Sequence, residues 1–206
     1  ASIFSFLYTP RDSYLRRKGG ISMNIVKAQE RDLKDKAKRL RKAGIVPGVV
    51  FGGALPESIP IQMDHRVAGK LLREKNEGSK LTLGIGEKTF TVQIKDFDQD
   101  LVTREVRHIN FQVLEEGKKV RSVITVHLLN RELVNGITEQ MLHEIPYTSL
   151  PEDMVDVITL DLAGMKPGMS FAVNELEEAR SGKIVLDIDP EHLIYKIEER
   201  ISPTES

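Results

Sequence analysis

The run "SKLTLGIGEKTFTVQIKDF", Ser79 to Phe97, restricts the fold more than any other part of the chain. Leu81, Leu83 and Ile85 alternate with polar residues, as do Phe90, Val92 and Ile94. Alternation with a period of two puts one side of an extended strand in a core and the other in water. The "GEK" between the two halves is hairpin chemistry. A second such run, "REVRHINFQVL", extends from Arg104 to Leu114. Upstream, Ile25, Val26 and Ala28 suit a short strand, and "VPGVVFGG" reads as a turn leading into a buried strand. "SIPIQMDH" reads as a further strand, with Asp64 capping a helix from about His65 to Lys75. Short strands at this spacing, with one or two helices, predict a small closed or half-closed β-barrel that ends near Gly117.

Beyond "EGKKVRS" come "VITVHLL", "EIPYTSL", "MVDVITLDL", "GMSFAVNEL" and "KIVLDI". Turn signals such as Pro151-Glu152-Asp153 and Lys166-Pro167-Gly168 separate these strands. The final run "PEHLIYKIEER" alternates at Leu193, Tyr195 and Ile197 and reads as a strand. The expected fold class is therefore mainly β with a few short helices, an N-terminal barrel followed by a β-rich C-terminal domain. The expected division is an extension over residues 1–22, a barrel over 23–117, a second domain over 118–201 and a tail over 202–206. The first 22 residues place aromatics before Arg16, Arg17 and Lys18, the reverse of a signal peptide. They are expected to be a disordered or non-native arm ahead of a domain that opens near Met23.

Charge separates the two halves. The formal net charge of -1 hides a net +5 over residues 23–50 and a net -11 over residues 132–206. A basic front followed by an acidic back points to one polyanion-binding domain and one that repels polyanions. The chain has no cysteine, which excludes disulfides, thiolate catalysis and Cys-based zinc sites. No run approaches the roughly 18–20 consecutive apolar residues of a membrane span.

The basic charge concentrates between Lys34 and Lys42, where Lys34, Lys36, Lys38, Arg39, Arg41 and Lys42 fill six of nine positions. A helix over "DLKDKAKRLRKAG", with Asp32 as N-cap and Gly44 as stop, would group Lys34, Lys38 and Arg41 on one face and Leu33, Ala37 and Leu40 on another. Such a cluster neutralises phosphates and binds nucleic acid in a salt-dependent way. It also suits an ordinary solvated helix. In "REVRHINFQVL", alternation puts Arg104, Val106, His108, Asn110 and Gln112 on one strand face, and Ile109, Phe111 and Val113 on the core face. A rigid polar sheet face can read an irregular RNA helix, although a solvated outer face has the same pattern.

Catalytic and cofactor readings find no support. The five histidines fall in no metal spacing, and GxSxG, P-loop and GxGxxG motifs are absent. No cofactor, metal, membrane or small-molecule substrate is expected, and the chain is not expected to be an enzyme.

Taken in order, "RLRKAGIVPGVVFGG", "IQMDH" and "REVRHINFQVL" resemble the bacterial 5S rRNA-binding large-subunit ribosomal proteins of the general stress protein CTC type, in their long two-domain form. The acidic stretch "NGITEQMLHEIPYTSLPEDMVDVITLDLAGMKPGMSF" is similar to their second domain, so the resemblance covers residues 24–201. It implies a cytoplasmic, ribosome-associated protein whose partners are 5S rRNA and the large subunit. It places RNA-contacting arginines at Arg31, Arg39 and Arg41 and a strand histidine at His108; Lys38, Lys42 and Arg104 join them from the charge and strand patterns. Two matched positions depart from the family pattern. Phe51 replaces a tyrosine and keeps only its stacking area. Asn110 replaces an aspartate two residues after the histidine, and restoring aspartate there is expected to strengthen binding. The alternative is a diverged stress paralogue with weakened or lost 5S rRNA binding that acts through protein contacts.

Overall fold

A computed structural model describes residues 14–18 and 25–200. The expected extension over 1–22 falls mostly, and the tail over 202–206 wholly, outside the described residues. Among those described, the chain divides into two compact units: residues 18 and 25–123 with 148–156, and residues 14–17 with 124–147 and 157–200. The first unit thus takes in the segment Thr148–Asp156.

The first unit is a closed six-stranded barrel in the order β2-β4-β3-β7-β6-β5. Its strands are β2 (Val26–Glu30), β3 (Ile45–Phe51), β4 (Ile59–Asp64), β5 (Lys80–Ile85), β6 (Lys88–Gln99) and β7 (Val106–Val113). The alternation read from sequence points inward as expected: Leu81, Leu83, Val92, Ile94, Ile109 and Phe111 are buried together with Val46, Val50 and Ile61. Two neighbouring pairs run parallel, β2 with β5 and β3 with β7, and the other barrel pairs are antiparallel. Helix α2 (His65–Glu74) adds Ala68 and Leu71 to the same core, and the Asp64 carboxylate caps it by accepting from Arg66 N at 2.7 Å.

The segment read as a turn, Val46 to Gly48, lies inside β3. The turn is at Gly44, whose φ of 73° suits the left-handed stop of a helix. Gly48 serves another purpose: a Cβ there would collide with the Ile109 carbonyl oxygen of β7, so only glycine permits this close parallel pairing. Pro47, which lacks an N–H, precedes the first β3–β7 pair and costs that ladder nothing.

The second unit is β-rich, as expected. β8 (Val120–Leu129), β10 (Glu144–Ser149), β11 (Val155–Asp161) and β13 (Ile184–Leu186) belong to a five-stranded sheet, ordered β1-β11-β8-β10-β13, whose edge strand β1 is Tyr14–Lys18. A three-stranded sheet, β12-β14-β9, joins β12 (Ser170–Ala172), β14 (Leu193–Glu198) and β9 (Ile137–Gln140). Phe171 and Tyr195 stack with ring centroids 5.9 Å apart, and both are buried. A short helix α3 (Glu177–Ser181) lies in the acidic stretch. No helix among the described residues is long and apolar enough to cross a membrane.

Candidate nucleic-acid interface

Helix α1 (Ala37–Lys42) carries the basic cluster and is shorter than its sequence pattern predicts. Its N-cap is Lys36, not Asp32. Asp32 instead closes a turn, its carboxylate accepting from Lys34 N at 2.9 Å and its carbonyl from Asp35 N at 3.0 Å. An isolated helix this short is unstable, so packing sets its length. Leu40 is buried and the helix packs on β3, whereas Leu33, an expected anchor, precedes the helix and is 74% exposed. Lys38, Arg39, Arg41 and Lys42 all remain exposed. Arg39 pairs with Asp35 at the surface, while the Arg41 guanidinium donates to the backbone carbonyl of Arg107 at 3.3 Å.

That last bond joins α1 to the entry of β7. β3 and β7 are parallel with Gly48 opposite Ile109, so the α1–β3 turn and the β6–β7 loop lie at the same barrel end. His108 and Asn110 are half-buried on the outer side of β7, as alternation predicts. Val106 is not: it is buried in the core. The register slips between Asp98 and Gln99, so that Arg107 is an extra residue, and this bulge reverses the facing of everything before it. Arg104 lies outside the strand altogether, in the β6–β7 loop with φ of 59°.

Arg31 and Phe51 lie farther along the barrel, with Arg31 N bonded to Pro60 O and Phe51 opposite Gln112. The Arg31 guanidinium turns inward: Nη2 donates to the Asp35 carbonyl at 2.7 Å, and Nε is buried without a partner among the described residues. The nine candidates thus form a strip, with the four α1 cations, Arg104 and His108 toward one end, Asn110 in the middle and Arg31 and Phe51 toward the other.

Two residues of the strip escaped the sequence reading. Asp98 pairs in register with His108, and Asp96 with Asn110, whose Nδ2 donates to Asp96 Oδ1 at 2.9 Å. The side-chain oxygen of Asn110, Oδ1, is buried without a partner among the described residues. The signal was present in "DFDQD", where acidic residues recur every second position. This geometry argues against the expectation that aspartate at 110 would strengthen binding. It would set two carboxylates face to face where an amide now bonds to one.

The Ribosomal L25p family model matches residues 26–111, and the model for the C-terminal domain of ribosomal protein TL5 matches residues 119–200. The chain is 31% identical over 162 residues to the large ribosomal subunit protein bL25 of Treponema denticola, which covers 76% of each chain. It is 30% identical to bL25 of Nitrosomonas europaea over 68% of this chain and 73% of that one. Similarity to bL25 of a Thermoanaerobacter species, at 24% identity, extends over 88% of this chain and 90% of the relative.

Proposed function

The chain belongs to the bacterial bL25 family in its long, two-domain form, and from that premise we propose that it binds 5S rRNA through residues 23–117 as a constituent of the large ribosomal subunit. It is a structural protein of the ribosome, not an enzyme. The observation that carries the RNA reading is the Arg41–Arg107 bond, which ties the basic helix to the strand bearing His108. Cations on a fixed base position an RNA backbone, and the outer face of β7 offers His108 and Asn110 to its base edges or sugars. Lys38, Arg39, Arg41 and Lys42 supply the salt-sensitive part of the affinity, and Arg104 extends it around the barrel end. Phe51 offers a stacking surface at the far end of the strip. Such a protein works in the cytoplasm, on the ribosome. No observation favours a paralogue that has lost RNA binding.

The test is binding of the full chain to 5S rRNA across a salt series, with an unrelated hairpin RNA as control. Selective binding that weakens with salt supports the proposal. Binding to neither RNA, or equally to both, overturns it.

A further inference from the structure

The loop between β6 and β7 holds the two most exposed large apolar side chains among the described residues of the barrel unit, Leu101 at 84% and Val102 at 91% exposure. Exposed apolar residues at a floppy loop tip would be unremarkable. This loop is held by bonds at every level. The Asp100 carboxylate accepts from Val102 N at 3.0 Å and Thr103 N at 2.9 Å, and its other oxygen accepts from Arg107 Nη2 at 2.6 Å. Across the loop base, Asp100 N donates to Glu105 O and Arg104 N to Asp100 O, each at 2.9 Å. Gln99 Nε2 closes the set on Arg104 O at 2.9 Å. Side chains on a loop so ordered lose little further freedom when they bind.

Charge around the tip selects its partner. Arg104 is exposed, and its side chain makes no hydrogen bond or ion pair among the described residues. Its φ of 59° is one that L side chains rarely adopt and glycine adopts freely. Arg41 is bonded to the loop base through the Arg107 carbonyl, which brings α1 with its cations to the same end. The Asp100 charge is matched by Arg107, and Glu105 is the opposing charge left on the loop. An apolar tip rimmed by cations suits RNA, whose base faces and ribose C–H edges offer apolar surface between rows of phosphates.

We propose that Leu101 and Val102 form a pre-ordered apolar wedge that packs against ribose and base faces of the bound RNA, beside phosphates held by Arg104 and the α1 cations. This rests on the RNA-binding reading above and adds to it a contact that does not depend on charge. Apolar packing releases no counterions, so the wedge contributes affinity without contributing to the salt slope.

The experiment compares the full chain with a Leu101→Ser, Val102→Ser double variant, measuring Kd for 5S rRNA and for an unrelated hairpin RNA over a salt series. The expected result is about a tenfold weaker Kd for 5S rRNA, an unchanged slope of log Kd against log salt, and an unchanged unfolding midpoint. Arg104→Gly should keep the loop, since glycine suits that φ, and should lower the slope by about one. An unchanged Kd in the double variant, with the parent chain still selecting 5S rRNA, overturns the wedge alone. So does a slope that falls with the affinity, which would mean the loop acts through its charges. Unchanged RNA affinity with reduced incorporation into large subunits overturns it in favour of a protein partner. A parent chain that shows no selectivity removes the RNA reading, and the wedge falls with it.

Discussion

Two lysine-and-arginine regions of the barrel unit use the same chemistry to opposite ends. On α1, Arg39 is 76% exposed and its pairing with Asp35 is open to solvent. At the end of α2, Lys75 is only 17% exposed and meets Asp156, 6% exposed, at 3.3 Å. Lys80 nearby donates to the Pro151 carbonyl at 2.6 Å, so two lysines fasten the segment Thr148–Asp156 to the barrel. Solvent makes the difference. Water screens the α1 charges from their neighbours, which leaves them able to exchange partners for phosphate. The Lys75–Asp156 pair is mostly withdrawn from water, so each ion depends largely on the other. One region keeps its charges open to solvent and the other ties them into the fold.

The largest expected effect tests the buried side. Lys75→Ala leaves Asp156 buried without its cation, and its Oδ1 already lacks a partner among the described residues. Removing one member of a buried pair costs about 3–5 kcal/mol, to be read from denaturant unfolding. RNA affinity per folded molecule should not change. A loss below about 1 kcal/mol would mean water reaches the pair and the contrast with α1 is false.

The exposed side is tested by Arg39→Ala with Arg41→Ala. The salt slope for 5S rRNA should fall by about one for each cation removed, and affinity should fall with it. Stability should change by less than about 1 kcal/mol, since the Arg39–Asp35 pair and the Arg41–Arg107 bond are both solvent-exposed. An unchanged slope would assign the cluster to the solvated surface and remove it from the interface.

The difference between these regions was only half legible in the sequence. A run of cations with few apolar neighbours, Lys34 to Lys42, announces exposure, and alternation at Leu81, Leu83, Val92 and Ile94 announces a barrel wall. Nothing local marks Lys75 as a residue that meets Asp156, because their separation along the chain carries no period. The same limit explains the errors at the interface. Strand alternation assigns faces correctly while pairing is regular, as for His108 and Asn110, and fails at the bulge that puts Val106 inside. Gly48 next to Pro47 has the composition of a turn, and only the approach of β7 shows why glycine stands inside a strand. Asp96 and Asp98 were visible as a pattern, but their meaning depends on the partners opposite them.

Between the exposed and buried extremes lies Asn110, half-buried and bonded to Asp96. Asn110→Asp removes a hydrogen bond and places like charges directly across two strands. Both changes are unfavourable, by about 1–2 kcal/mol together. The expected result is a lower unfolding midpoint and weaker RNA binding. Asn110→Asp combined with Asp96→Asn should recover most of both, since it restores one carboxylate and one amide. Failure of that pair to recover would place the role of Asn110 in its contact with RNA rather than with Asp96.

The smallest effect concerns pH and reports what an exposed carboxylate can order. Asp100 is held below its ordinary value of 3.8, chiefly by the backbone N–H groups of Thr103 and Val102, with Arg107 adding a weaker attraction. A carboxyl whose folded value is depressed contributes order that is complete above its unfolded value and is lost as pH falls through the folded one. The loop bonds should therefore persist unchanged from neutrality down to about pH 4 and open only below it. Amide signals of Val102 and Thr103 in an acid titration should move together, with a midpoint under 3.8. In Asp100→Asn the side-chain carbonyl can still accept from those amides, so their shifts should stay near the native positions while the acid transition disappears. A midpoint above 3.8 in the parent chain would mean that water, not the carboxylate, satisfies those two N–H groups. Leu101 and Val102 would then be mobile, and ordered exposed residues would be confined to α1 and the sheet.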